Sequence, residues 1–151
     1  DIKKMTIWGN HSPTMYPDLD NAEIKGESAS GWINDQNWIE SDFLRIVQQR
    51  GKAIIDARGA SSATSAANAA IDTVKATLSE TPADDWFSAA VLSDGSYNVP
   101  EGLIFGFPLK ADANGKVSIV QDLPISDYAQ EKIDLTTQEL LDEKNDIEEL
   151  L

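Results

Sequence analysis

The sequence predicts an α+β domain, in which strands and helices are partly segregated along the chain, rather than a doubly wound parallel sheet. Short apolar runs typical of strands lie near the N-terminus and between residues 86 and 120, whereas helical periodicity dominates residues 37–78 and the C-terminal part. Asn114-Gly115 stands between two apolar runs, which indicates a β-hairpin. Because 151 residues without a linker or repeat fit one domain, we expect a single domain over 1–151.

The N-terminal part is expected to form a short strand, a loop and a turn. The segment from Ile2 to Trp8 alternates loosely, with Met5 and Ile7 as candidates for the buried face. A turn-rich stretch follows, so His11 should lie on a loop just past a strand end. A second turn is expected at Tyr16-Pro17-Asp18.

A long helix is expected from Asn37 to Arg58, because apolar residues recur there on one helical face. Gly51 lies inside this pattern, where glycine costs about 0.5–1 kcal/mol relative to alanine. Such a glycine relieves crowding, breaks the helix or lets something approach the backbone. Gly59 is the expected C-cap.

The next segment, residues 61–70, consists almost entirely of small residues and opens another helix. Ser61 or Ser62 is the expected N-cap, and the helix should continue to Leu78. A face of small residues packs closely on another element or leaves room for a ligand. The free N–H groups at a helix start also favour anions.

The second half of the chain is expected to form three strands and a final helix. Strands are predicted at Trp86–Leu92, Leu103–Leu109 and Val117–Val120, and Pro124 and Ser126 mark the entry to the helix. The predicted apolar stripe of this helix consists of Ile133, Thr137, Leu140, Leu141, Ile147 and Leu151.

Composition excludes several functional classes. The formal charge of −14, from 12 Lys+Arg and 26 Asp+Glu, argues against a nucleic-acid partner, since phosphate binding needs clustered cations. The absence of cysteine excludes disulfides, iron–sulfur clusters and a cysteine nucleophile, and one histidine disfavours a zinc site. No apolar run approaches the ~20 residues of a membrane span, and no signal peptide is evident, so we expect a cytoplasmic protein without a metal or membrane partner.

Acid–base chemistry, if present, should pass through His11, because imidazole exchanges protons near neutral pH. The alternative is a loop histidine that makes one backbone hydrogen bond. A catalytic histidine normally needs a carboxylate partner, and Asp18 and Asp20 are near in sequence only. Ser62 lacks the Gly-x-Ser-x-Gly setting of a hydrolase, and no Gly-rich phosphate loop is present.

Five stretches, taken together and in order, carry a resemblance to a known enzyme family. The segment Ile7 to Asp18 reads Ile-Trp-Gly-Asn-His-Ser-Pro-Thr-Met-Tyr-Pro-Asp. The others are Val47-Gln48-Gln49-Arg50-Gly51, Ser61-Ser62-Ala63, the stretch from Val91 to Pro100, and Leu123-Pro124-Ile125-Ser126-Asp127. Over residues 1 to about 151 they resemble the C-terminal substrate and catalytic domain of malate dehydrogenase, in the cytosolic-type branch of the lactate/malate dehydrogenase family. The asparagine before the histidine favours malate over lactate.

The resemblance implies an α+β fold with an antiparallel sheet packed with long helices. It implies that His11 is the proton acceptor and donor in the NAD-dependent interconversion of malate and oxaloacetate, a reaction of the tricarboxylic acid cycle. Gly51 and Ser62 match positions that line the substrate pocket. The implied NAD is bound mainly by an N-terminal dinucleotide-binding domain absent from this chain, so no cofactor-binding residue and no metal ligand is assigned here. Family members are commonly homodimers.

The same resemblance implies that essential parts lie outside this chain. The Gly-rich NAD turn, the Asp-x-x-Arg stretch and the mobile loop with two substrate arginines have no counterpart in it. We therefore expect the isolated chain to be inactive and to expose an apolar patch. The alternative is a stand-alone, non-enzymatic binding or assembly module with the same fold.

Overall fold

A computed structural model describes residues 1–148, so Leu151 of the predicted C-terminal stripe lies outside the described residues. The strands are β1 (Ile2–Lys3), β2 (Thr6–Trp8), β3 (Tyr16–Asp18), β4 (Glu23–Ile24), β5 (Glu27–Ser28), β6 (Phe87–Leu92), β7 (Ile104–Ala111) and β8 (Val117–Ile119). The α-helices are α1 (Ala29–Ile33), α2 (Gln36–Trp38), α3 (Leu44–Gln48), α4 (Arg50–Arg58), α5 (Thr64–Leu78) and α6 (Asp127–Asp146). A π-helical turn spans Ile39–Phe43, and a 3₁₀ turn spans Ser96–Asn98.

The sheets are antiparallel, as the α+β prediction requires. Strands β6, β7 and β8 form a three-stranded sheet in that order, while β2 pairs with β3, and β1, β4 and β5 form a small separate sheet. The predicted hairpin between β7 and β8 is confirmed: Asp112 N–H donates to Lys116 O over 3.0 Å, and Gly115 adopts φ 78°. Glycine suits this turn because a positive φ strains other residues.

The main core lies between the β6–β7–β8 sheet, the β2–β3 pair and α6. Its buried residues are Trp8, Tyr16, Val99, Leu103, Phe105, Phe107, Leu109, Ala129 and Ile133. Helix α6 begins as predicted, because Ser126 caps it by accepting the Ala129 N–H at 3.2 Å. Ile133 and Thr137 of the predicted stripe are buried, and Leu140 and Leu141 are partly buried against the core. The prediction is wrong for Ile147, which lies past the end of α6 and is 46% exposed.

The first predicted strand is wrong in its continuity and in its buried face. Lys4 adopts φ 58° and separates β1 from β2. The fully buried residues are Thr6 and Trp8, whereas Met5 and Ile7 are only partly buried. Polar partners explain this outcome, since the Trp86 indole donates to Thr6 Oγ1 at 2.9 Å and thereby satisfies a buried hydroxyl.

The predicted turn at Tyr16-Pro17-Asp18 is instead strand β3, buried along its whole length. It pairs with β2, with Trp8 opposite Tyr16. A proline is tolerated here because β3 is an edge strand of a two-stranded pair. The chain turns after Asp18, whose buried carboxylate accepts the Trp8 indole N–H at 3.1 Å and the Asn21 amide at 2.9 Å. The Asp18 carboxylate therefore holds the end of β3 to Trp8 at the end of β2, where the loop between these strands begins.

The predicted continuous helix from Asn37 to Arg58 is broken. A π-helical turn follows α2, and the helix stops at Gln49 (φ −101°, ψ 6°) before α4 begins. Gln48 donates its side-chain amide to Met15 O at 2.9 Å, which holds the end of α3 against the β2–β3 loop. Gly51 is consequently the second residue of α4 rather than a mid-helix residue. The predicted C-cap is confirmed, since Gly59 is left-handed and donates to Ile55 O at 2.8 Å.

Helix α5 starts later than predicted and exposes an apolar face. Its N-cap is Ala63, with no side-chain cap bond, rather than Ser61 or Ser62. Ile71, Val74 and Leu78 are between 55% and 78% exposed. The expected exposed apolar surface is therefore present on this helix.

The buried Tyr16 predicts an alkaline loss of stability. Burial, reinforced by the Asp18 and Asp20 carboxylates, raises the pKa of Tyr16 well above its ordinary value. The folded state then holds the phenolic proton more tightly, so this stabilisation is present below the ordinary pKa of about 10 and is lost as the pH rises above it. We expect Tyr16→Phe to lose less free energy of unfolding than the parent between about pH 10 and 12.

Urea unfolding at a series of pH values measures this difference. Tyr128→Phe is the matched control, because the pKa of Tyr128 is also raised, mainly by burial, while its side chain is less buried. Tyr128→Phe should reduce the loss of unfolding free energy above about pH 10 by less than Tyr16→Phe does. Parallel alkaline limbs for the parent and Tyr16→Phe would contradict the assignment.

Candidate functional site

His11 lies on an open cleft beside the loop that joins β2 to β3. The cleft encloses about 770 Å³. Its lining includes Ile7, Gly9, Asn10, His11, Ser12, Met15, Val47, Gln48, Arg50, Gly51, Lys52, Ala69, Ser88, Ala90 and Gly106. The prediction that His11 follows a strand end on a loop is confirmed, and the cleft brings this residue together with Gly51.

Two glycines bring this loop close to the central strand of the sheet. Gly9 donates its N–H to Gly106 O at 3.3 Å, and Gly106 donates back to Gly9 O at 2.9 Å. A Cβ on Gly106 would lie 2.5 Å from Ile7 O, and one on Gly9 would lie 2.2 Å from Thr136 Cγ2. Side chains at these positions would push β2 away from β7 and α6, so the glycines set the height of the loop above the sheet.

Polar residues of the loop bind three residues of α6, namely Thr136, Glu139 and Glu143. Asn10 donates its backbone N–H to Thr136 Oγ1 at 2.9 Å and its side-chain amide to Glu139 Oε2 at 3.1 Å. The Ser12 and Thr14 hydroxyls also donate to Glu139 Oε2. Burial would raise the pKa of Glu139, but the hydrogen bonds from Ser12, Thr14 and Asn10 outweigh it and hold that pKa below its ordinary value.

The His11 side chain is exposed and stands between these anchored residues. No hydrogen bond joins its imidazole to another residue within 1–148. The carboxylates near it in sequence are engaged elsewhere: Asp18 binds Trp8 and Asn21, and Asp20 accepts the Ser126 hydroxyl at 3.1 Å. The imidazole is therefore available to a ligand in the cleft.

The start of α4 also lines this cleft. A Cβ on Gly51 would meet nothing within 4 Å, so this position opens onto free space. Arg50 and Lys52 flank it and line the same cleft, although Lys52 also pairs with Asp56 at 2.5 Å. The sequence pattern did not single out these two cations, but their place on both sides of Gly51 could have indicated an anion-binding position.

Ser62 is not brought into this cleft. Its hydroxyl contacts the Ser65 hydroxyl at the start of α5, and it is absent from the lining residues. Ala69, further along the same helix, is the α5 residue that lines the cleft. The substrate-binding role of Ser62 stays a prediction that would need α5 to present this residue differently when a ligand is bound.

Residues 1–148 contain no βαβ unit of the kind that binds a dinucleotide. All strand pairs formed within residues 1–148 are antiparallel, so no strand, Gly-rich turn and helix combine to hold a pyrophosphate. In the same part of the chain, no group of three or more His, Asp or Glu side chains could hold a metal ion. None of the helices described there is long and apolar enough to cross a membrane.

Comparison with known proteins gives a consistent result. The family model described as the alpha/beta C-terminal domain of lactate/malate dehydrogenase matches residues 1–151. The chain is similar to malate dehydrogenase from Naegleria fowleri, with 42% identity and a TM-score of 0.91, over 100% of this chain and 46% of that one. It is also similar to Trichomonas vaginalis lactate dehydrogenase, solved with NADH and oxamate, with 30% identity and a TM-score of 0.87, over 96% of this chain and 45% of that one.

A more distant likeness supports the fold alone. Malate dehydrogenase from Plasmodium falciparum matches at 23% identity and a TM-score of 0.81, over 97% of this chain and 46% of that one. The chain thus spans about half the length of the solved structures that it matches.

Proposed function

Because the chain belongs to the lactate/malate dehydrogenase family, whose C-terminal domain it forms, we propose that it is the substrate and catalytic half of an NAD-dependent malate dehydrogenase. The reaction is the interconversion of malate and oxaloacetate. The observation that carries this proposal is the position of His11, which is exposed on an anchored loop and lines the same open cleft as Gly51.

The proposed role of His11 is proton transfer. Its imidazole takes the hydroxyl proton of malate when the alcohol is oxidised and returns a proton to the carbonyl oxygen of oxaloacetate in the reverse direction. Because no described residue hydrogen-bonds the imidazole, both ring nitrogens are free to meet substrate or a partner from another domain. The proposed carboxylate partner of the histidine comes from a domain outside this chain.

The residues at the start of α4 are proposed to receive the substrate. Gly51 leaves room for the substrate beside the α4 backbone. Arg50 and Lys52 offset part of the −14 charge where a dicarboxylate must enter. Ser62 is proposed to contribute a hydroxyl to the same pocket once α5 is covered by a second domain.

Because residues 1–148 contain no parallel βαβ unit, the proposed NAD cofactor is held mainly by a separate dinucleotide-binding domain. The apolar face of α5, with Ile71, Val74 and Leu78, is proposed to pack against that domain or a second subunit. The proposed parent is accordingly a two-domain, homodimeric enzyme of the cytoplasm and the tricarboxylic acid cycle.

Malate is proposed as the substrate rather than lactate. The asparagine before His11 supports this choice, and so does the identity of 42% to a malate dehydrogenase against 30% to a lactate dehydrogenase. The lactate dehydrogenase match makes pyruvate the competing substrate to be tested.

The decisive experiment compares the isolated chain with a two-domain protein. We define the two-domain protein as this chain joined at its N-terminus to the remaining part of the Naegleria fowleri malate dehydrogenase. The two-domain protein should reduce oxaloacetate with NADH, at kcat/KM on the order of 10² or more above that for pyruvate, because a site built for a second carboxylate rejects a substrate without one. The isolated chain should show no measurable rate.

Three results would overturn parts of this proposal. A measurable rate from the isolated chain would show that the cofactor and substrate clamp are not needed from elsewhere. A preference for pyruvate would replace malate by lactate as the substrate. A coding sequence that starts at or near Asp1, without an upstream Gly-rich βαβ unit and Asp-x-x-Arg, would favour a stand-alone binding or assembly module.

A further inference from the structure

The loop around His11 is fastened to one face of helix α6. Thr136 and Glu139 are three residues apart, so their side chains lie on the same side of the helix. Thr136 Oγ1 accepts the Asn10 N–H at 2.9 Å and lies 2.8 Å from Thr14 Oγ1. Both α6 residues therefore contact the loop that carries the proposed proton acceptor.

A single oxygen of Glu139 receives most of these contacts. Its Oε2 accepts the Asn10 side-chain amide at 3.1 Å and the Thr14 hydroxyl at 2.7 Å, and the Ser12 hydroxyl also donates to it. A carboxylate makes stronger hydrogen bonds with such donors than a neutral acceptor does. The lowered pKa of Glu139 agrees with this arrangement, since these donors favour the charged form.

The two bound residues Asn10 and Ser12 are the immediate neighbours of His11. Glu139 therefore accepts hydrogen bonds from the residues on both sides of the histidine, while the imidazole itself has no hydrogen bond within the described residues. The position of the His11 imidazole in the cleft is therefore set by the backbone of residues 10–12. Glu143 adds one further contact, accepting the Asn10 amide at 3.0 Å.

We propose that Glu139 is a positioning residue, whose carboxylate pins the chain on both sides of His11 to α6 and thereby fixes where the imidazole stands in the cleft. Its catalytic consequence rests on the proposed function, because it acts through the proton transfer of His11. The effect of Glu139 on the order of the His11 loop does not depend on the proposed function and can be measured in the isolated chain.

The first experiment measures loop order in the isolated chain by NMR. His11 is the sole histidine, so its imidazole C–H signals are identified without ambiguity. In Glu139→Ala the Asn10 backbone N–H, which is bonded to Thr136 Oγ1, should exchange with solvent about tenfold faster, and the His11 ring should show faster local motion. Glu139→Gln, which keeps an acceptor oxygen without the charge, should lie between Ala and the parent. Glu131→Gln is the matched control, because Glu131 lies on the same helix, is 74% exposed and contacts Lys132 rather than the loop.

The second experiment measures kcat and KM in the two-domain protein. Glu139→Ala should lower kcat for oxaloacetate about 10- to 100-fold, since small misplacements of a catalytic group are costly, while KM changes less than about threefold. Glu139→Gln should recover part of kcat, and Glu131→Gln should match the parent.

The outcomes separate the two claims. If Glu139→Ala changes neither the exchange rate of the Asn10 backbone N–H nor the motion of the His11 ring, the positioning role is overturned, regardless of the effect on kcat. A two-domain protein that is inactive even with Glu139 intact would instead contradict the proposed function, and the NMR result would still decide the role of Glu139. A loss of kcat equal in the Gln and Ala variants, with unchanged loop order, would also overturn the proposal.

Discussion

Replacing His11 by glutamine in the two-domain protein should lower kcat for oxaloacetate reduction about 10²–10⁴-fold. Glutamine replaces the imidazole by an amide that can still form hydrogen bonds but cannot take up and release a proton near neutral pH. Steady-state kinetics of oxaloacetate reduction by the parent and the variant measures this loss.

The same substitution should leave the fold unchanged, which distinguishes a chemical from a structural role. His11 is exposed, and its imidazole has no hydrogen-bond partner within residues 1–148. In the isolated chain, His11→Gln should shift the free energy of unfolding by less than about 0.5 kcal/mol, as expected for a surface residue without special contacts. A kcat within tenfold of the parent would contradict the assignment of His11 as the proton acceptor.

The elements predicted correctly from the sequence are those set by local chemistry. The chain turns at Asn114-Gly115 because Gly115 adopts a positive φ, and Ser126 caps α6 through its own hydroxyl. The C-cap at Gly59 has the same local origin. The position of His11 at a strand end also follows from a short run and the turn residues after it. Each of these needs only a few consecutive residues.

The elements that could not be predicted depend on distant partners. Strand β3 exists because Trp8 and Tyr16 face each other across the pair and Asp18 is satisfied by the Trp8 indole, so a prolyl segment becomes buried strand. Helix α3 ends at Gln48, which binds Met15 O across the loop. Neither contact leaves a periodic signal in the sequence.

The candidate site shows the same division. Gly51 could be singled out because a glycine within a helical pattern requires an explanation, whereas Glu139 occupies one of many acidic positions on α6. Only the fold brings its carboxylate to Asn10, Ser12 and Thr14. The placement of Ser62 outside the cleft depends on where α5 begins, and Ala63 rather than a serine occupies that N-cap.

Gly9→Ala should destabilise the isolated chain by about 2–6 kcal/mol, combining the strain of a non-glycine residue in a forbidden region with overpacking. Gly9 adopts φ 99°, and a Cβ there would lie 2.2 to 2.8 Å from the side-chain atoms of Thr136. Thr136 is fully buried and bonded to Asn10, so it cannot swing aside without releasing that contact. Urea unfolding followed by tryptophan fluorescence measures the loss of stability.

Gly115→Ala separates the two causes, because Gly115 adopts φ 78° but faces open space. Its cost should be about 1–2 kcal/mol, from backbone strain alone. If the close approach to Thr136 supplies the rest, the double variant Gly9→Ala/Thr136→Ala should cost less than the sum of its single variants. Additive costs, or a Gly9→Ala cost no larger than that of Gly115→Ala, would contradict this explanation. A double-variant cost below that sum would mean that the contact between residue 9 and Thr136 limits how closely the end of β2 approaches α6. This contact would then set where the His11 loop begins.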